Sequence, residues 1–145
     1  MSNKTGIHDY AIEQMNRLLT ALAFEVHSAA KKPGTEEIHN LRVSIRRFLQ
    51  GLELFSEFFP KWEVKKIRKM LKRMLQITSS IRDRDITLEF LAGRESAAQM
   101  PSTAQVKRLQ QERGAYQRQF VEMVRRWTAR DFSSKWRNGL SLRAI

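Results

Sequence analysis

The chain has 145 residues, 41% of them hydrophobic, so it is long enough to form one domain with its own core. It has no cysteine, which excludes disulfides and thiolate metal sites and favours the cytoplasm. It has neither the apolar segment of a secretory signal nor the roughly 18-residue apolar run of a membrane span. With 27 Lys and Arg against 15 Asp and Glu, its net charge of +12 attracts polyanions.

The first predicted element is a helix over about residues 8–30. Apolar residues recur at every third or fourth position, here and throughout the chain, and the alternation typical of strands is absent, so the pattern predicts an all-α protein. The segment KKPG at 31–34 ends this helix. Its expected core stripe consists of Ala11, Met15, Leu18, Leu22 and Val26.

A second helix is expected to begin after Thr35, a predicted N-cap, and to end at Pro60. Glu36 and Glu37 follow the cap, where negative charge favours a helix N-terminus. The expected core stripe consists of Ile38, Leu41, Ile45, Leu49, Leu52 and Phe59, with Phe48 and Phe55 beside it.

The third predicted helix is long, running from Trp62 to about Gly93. Trp62 is expected to lie toward the core. The other inward positions are Val64, Ile67, Leu71, Met74, Leu75 and Ile81.

A loop of small residues is predicted at 93–103, followed by a fourth amphipathic helix whose stripe Arg113 interrupts. For residues 131–145 the pattern leaves open a short helix, a docking segment or disorder. Together these elements predict a single domain, an up-and-down four-helix bundle with its core over about residues 8–130. The stripe of the fourth helix consists of Val106, Leu109, Tyr116, Phe120, Met123 and Trp127.

Basic residues form one face on each of the two central helices. Residues 39–84 hold twelve Lys or Arg and four Asp or Glu, a local net charge of +8. At about 100° per residue, the second helix aligns His39, Arg42 and Arg46 opposite its core stripe, with Arg47 at the edge. The corresponding face of the third helix consists of Lys61, Lys65, Arg68, Lys69, Lys72 and Arg73.

Cations at this spacing repel one another, so two such faces lining one groove indicate an anionic partner. Arginine forks, lysine charges and a histidine donor are suited to phosphate. The third helix offers few aromatic rings on which bases could stack, and no sequence-reading motif is present, which favours bare phosphate chains. The alternatives that stay open are nonspecific RNA or DNA binding, an acidic protein partner, and an ordinary solvated surface.

The stretch IHNLRVSIRRFLQGLELF, followed by a basic helix and IRDRDITLEFL, resembles the CHAD domain, the conserved-histidine α-helical domain. The resemblance covers roughly residues 8–130. It implies a helical module that binds inorganic polyphosphate, with His39, Arg42 and Arg46 projecting into the groove. It also implies an association with polyphosphate granules or with triphosphatase domains.

Members of this family are usually about twice as long, with two similar bundles that meet around a channel. No second copy of the histidine–arginine motif occurs here. Either one bundle is sufficient for binding, or two chains associate to restore the pair of bundles, and we favour a homodimer.

The remaining polar residues predict a binding module that is not an enzyme and needs no metal or cofactor. His39 is the one histidine expected near the site, which disfavours a histidine-rich metal centre. Asp83 and Asp85 are expected to form ion pairs with Arg82 and Arg84 rather than to hold Mg²⁺, and so to support the site. The sequence has no P-loop, nucleophile elbow or acidic metal cluster for phosphate hydrolysis.

Overall fold

The computed structural model describes residues 3–93 and 103–142, with side chains from residue 6 onward. All the regular structure in these ranges is helical, as predicted. The α-helices are α1 (Asn3–Lys31), α2 (Thr35–Leu54), α3 (Lys61–Gly93), α4 (Thr103–Ala129) and α5 (Phe132–Gly139). The predicted loop at 93–103 lies almost wholly outside the described residues.

The helices α1 and α2 form a tightly packed hairpin. Leu19 of α1 is fully buried, whereas the predicted core residue Leu18 is only partly buried. Gly51 of α2 lies against this face, and a β-carbon there would sit 2.7 Å from Met15 Sδ and 2.8 Å from Leu18 Cδ1. Glycine thus allows the two helices to approach closely.

Both ends of α2 differ from the prediction. Thr35 is the first helical residue and not the N-cap; Gly34, in extended conformation, occupies the cap position without a side-chain hydrogen bond. The helix ends at Leu54, before Pro60, and a short 3₁₀ turn over Ser56–Phe58 follows. Phe59 is extended, which is the conformation that a following proline imposes.

The third helix matches its predicted length, since it runs unbroken for 33 residues. Its core positions Val64, Ile67, Leu71, Met74 and Ile81 are buried. Trp62 is 69% exposed, so its predicted place toward the core is wrong. The ring lies in the first turn of α3 on the outer side, away from the buried stripe.

The two hairpins, α1 with α2 and α3 with α4, pack together into the predicted four-helix bundle, and α5 closes one end. The C-terminal segment is therefore a short helix that docks on the core. Ring centroids of Trp127, Phe132 and Trp136 lie 5.0–5.6 Å apart, and Asn16 Nδ2 donates to the Leu142 carbonyl at 2.7 Å. These contacts bring residues 132–142 into the core that the prediction ended at about 130.

Candidate functional site

Arg42 is the most unusual residue of the predicted basic stripe. It is only 7% exposed, so the prediction that it faces away from the buried side of α2 is wrong. Its position borders the core stripe, and α3 packs over that border. Arg42 Nη1 donates to the Leu75 carbonyl at 2.8 Å and to Thr78 Oγ1 at 2.7 Å, while the buried Nε makes no hydrogen bond with any described residue.

The acceptors of Arg42 belong to a small buried network on α3. Thr78 is fully buried, and its hydroxyl lies 2.9 Å from the Met74 carbonyl and 3.1 Å from the Leu75 carbonyl. The hydroxyl can therefore donate within α3 while it accepts from Arg42. These bonds hold Arg42 between α2 and α3, and its buried Nε group has no partner among the described residues.

Arg42 lines a cleft of about 480 Å³ between the first half of α2 and the second half of α3. His39 from α2, and Arg82 and Asp85 from α3, line the same cleft. His39 and Arg82 are exposed, so both are accessible to a ligand. Glu36 and Glu89 also border the cleft, as do the apolar side chains of Ile38, Ile81 and Ile86.

Arg42 lies close to two other arginines in and beside the cleft. Burial lowers the pKa of Arg42 below its ordinary value, and the charges of Arg46 and Arg82 lower it further, while Asp83 partly opposes them. The three arginines therefore repel one another. An anion in the cleft would relieve this repulsion and compensate the buried charge.

The other predicted basic residues do not all border this cleft. Arg47 is exposed on α2. Arg73 lies on the other side of α3 and lines a separate cleft with α4 and α5, so its predicted place in a groove shared with α2 is wrong. The remaining predicted cations of α3 lie along its outer surface, where Lys65, Lys69 and Lys72 are exposed and Arg68 is partly buried.

The segment Arg82–Asp85 both lines the cleft and contacts the neighbouring helix α4. Asp85 forms an ion pair with Arg113 of α4, not with the flanking arginines as predicted. Arg84 pairs with Glu112 at 3.1 Å, and its guanidinium lies 4.9 Å from the ring centre of Tyr116. These contacts fix the second half of α3 against α4, and with it the positions of Arg82 and Asp85.

The comparison with protein-family models gives a match to the CHAD domain over residues 13–144. The chain belongs to the CHAD family. The match extends through α5, so the CHAD domain of this chain includes the segment that docks on the core. No curated protein and no solved structure matches the chain.

In this CHAD domain both sequence motifs converge on one cleft, since His39 and Arg42 come from the first motif and Arg82 and Asp85 from the second. The sequence pattern did not predict that Glu112 pairs with Arg84 or that Arg113 pairs with Asp85. A signal was present, because an arginine that interrupts an apolar stripe requires a partner, and Arg84–Asp85 and Glu112–Arg113 are oppositely charged pairs of neighbours.

The described ranges of the CHAD domain contain neither a group of metal-binding side chains nor a helix that could span a membrane. Among residues 3–93 and 103–142, no three His, Asp or Glu side chains are grouped closely enough to hold a metal ion. No helix in the described part of the chain is long and apolar enough to cross a membrane.

Proposed function

We propose that this chain binds inorganic polyphosphate at the cleft between α2 and α3. The observation that carries the proposal is Arg42, a largely buried cation that lines this cleft of a CHAD domain and has two cationic neighbours, Arg46 and Arg82. Burying an arginine among other cations is unfavourable unless an anion compensates them. His39 completes the cluster as an exposed hydrogen-bonding group.

The chemistry of the cleft is suited to phosphate oxygens. Arginine guanidinium groups donate paired hydrogen bonds to phosphate, and lysines act as point charges. A phosphate chain longer than the cleft would continue along the cations on the outer surface of α3, so binding should tolerate a range of chain lengths. Those cations are Lys65, Arg68, Lys69 and Lys72.

The proposed role is binding without catalysis. The CHAD family comprises binding domains in general, and the arginines that border the cleft are suited to holding phosphate in place. Asp85, one of the three carboxylates that border the cleft, is already engaged by Arg113. Association with a triphosphatase would let this chain hold a substrate that a separate enzyme cleaves.

The same proposal includes a homodimer. The apolar side chains of Ile86 and Phe90 are 52% and 58% exposed, one helical turn apart on α3, and Ile86 borders the cleft. A second copy covering them would bring two clefts together, as the two-bundle arrangement of longer family members suggests. The molar mass in solution, measured by light scattering at high protein concentration, tests this, and a monomer would contradict it.

One observation favours single-stranded nucleic acid as a second candidate. Trp62 is 69% exposed beside Lys61 and Lys65, so one aromatic platform for a base is present after all. Nucleic acid should then compete with polyphosphate at equal phosphate concentration, and Trp62→Ala should weaken RNA binding. An acidic protein partner, in contrast, would leave inorganic polyanions bound weakly and lost at physiological salt.

The test is calorimetric titration with medium-chain polyphosphate and, in parallel, with single-stranded RNA, at about 150 mM salt, where weak surface attraction is screened. We expect saturable binding of polyphosphate and a loss of about tenfold or more for Arg46→Ala. Arg125→Ala is the control, because Arg125 is an exposed arginine of α4 outside the cleft. Equal losses in both variants, or tighter binding of RNA, would contradict the proposal.

A further inference from the structure

A second cleft, of about 370 Å³, lies where α3, α4 and α5 meet, on the side of α3 that faces away from α2. Three helices contribute exposed cations to it, and no carboxylate is among the described residues that line it. Its volume falls within the range of sites for small molecules. The cations are Lys66, Arg73, Arg126, Arg130 and Lys135.

These cations are almost uncompensated. Arg126 pairs with Glu122 at 2.9 Å, on the exposed surface of α4. The other four form no ion pair with any residue in the described ranges. The cleft between α2 and α3, in comparison, is bordered by three carboxylates as well as by its cations. The second cleft therefore has the less balanced charge, which favours an anionic ligand.

The floor of the second cleft is apolar. Met70 and Met123 are partly buried there, and the buried Trp127 and Trp136 also line the cleft. A bare phosphate chain has no apolar surface to place on such a floor. A flat organic group does, because thioethers and aromatic edges pack favourably against ring systems.

We propose that this second cleft binds a small organic phosphate of the nucleoside polyphosphate class. The phosphates would lie among Arg73, Arg130 and Lys135, and the base would rest on Met70 and Met123. The site is separate from the cleft between α2 and α3 and does not depend on the function proposed for that cleft.

The fluorescence of Trp127 and Trp136 provides a direct readout, because both line the cleft. The third tryptophan, Trp62, lies elsewhere on the surface and is removed by Trp62→Phe. In this background, ATP should change the emission saturably, and it should bind at least about tenfold more tightly than inorganic tripolyphosphate. Equal affinity of the two probes would mean that the apolar floor is not used, and would overturn the proposal.

A matched pair of double variants tests the site itself. Arg73→Gln with Arg130→Gln should weaken ATP binding by about tenfold or more, whereas Arg118→Gln with Arg125→Gln should change it by less than about threefold. All four arginines are exposed, so both variants should fold, and thermal melts check that they do. Equal losses in the two variants, or no ATP response at all, would overturn the proposal. Arg42→Met should leave this response intact, which separates the two sites.

Discussion

Replacing Arg42 with methionine should separate ligand binding from stability. Methionine has a similar length and an apolar character, so it can fill the space of the arginine side chain without placing a charge between α2 and α3. We expect polyphosphate affinity to fall by at least about tenfold, because a cation that lines the cleft is lost. The fold, in contrast, should be as stable as before or slightly more stable.

The magnitude follows from opposing contributions at this one side chain. Its two hydrogen bonds, 2.8 and 2.7 Å long, stabilise the fold by about 1.5–3 kcal/mol each, as bonds from a charged donor do. Burial of the charge costs several kcal/mol, and repulsion from Arg46 and Arg82 adds to that cost. The free energy of unfolding should therefore change by less than about 2 kcal/mol, since replacing buried ions with apolar groups is often neutral or stabilising.

The acceptors left behind should not add a penalty. Thr78 Oγ1 can still donate to the Met74 carbonyl at 2.9 Å, and the Leu75 carbonyl still lies 3.1 Å from the same hydroxyl. No buried acceptor is orphaned by the substitution. This distinguishes Arg42→Met from Arg42→Ala, which would also leave a cavity and lose the packing of the long side chain.

Two measurements on the same protein samples check the reasoning. Urea unfolding gives the free energy of unfolding, and calorimetric titration gives the affinity for polyphosphate. Ligand should also raise the midpoint temperature of thermal unfolding. At a ligand concentration a hundredfold above Kd, it should stabilise the wild type by about 2.7 kcal/mol and Arg42→Met by much less. A loss of more than about 3 kcal/mol without ligand, or unchanged affinity, would refute the argument and make Arg42 a purely structural residue.

Three further predictions concern other parts of the domain. His39→Ala should weaken polyphosphate binding by less than about tenfold in the same titration, as expected for one exposed hydrogen-bonding group, and unchanged affinity would remove His39 from the site. In a double-mutant cycle of Asp85→Ala and Arg113→Ala, the free energies of unfolding should give a coupling energy of about 1–2 kcal/mol for this partly buried pair. If the effects of the two substitutions simply add, the pair does not stabilise the fold. Gly51→Ala should lower the free energy of unfolding by about 1–3 kcal/mol because its methyl group collides with Met15 and Leu18, and a more stable variant would show that α1 moves aside easily.

The sequence alone determined the helical architecture and predicted which residues of α2 and α3 lie near one another. Apolar spacing and the breaks at KKPG and Pro60 predicted four long helices, and α3 in particular over nearly its whole length. The two motifs predicted that His39, Arg42 and Arg82 belong to one region, and the family match agrees with the resemblance on which that prediction rested. Helix periodicity and local charge density are properties of neighbouring residues, so a single chain is enough to read them.

The tertiary structure decided which edge of each helix is covered. Arg42 is at the border of the core stripe and is buried only because α3 packs over it, whereas Trp62 on the outer side of α3 remains exposed. Arg73 faces α4 and α5 instead of α2, and Arg113 reaches Asp85 across 28 residues of sequence. Periodicity gives the angle of each side chain around its own helix, but the rotation of one helix against the next is set by the packing of all of them together.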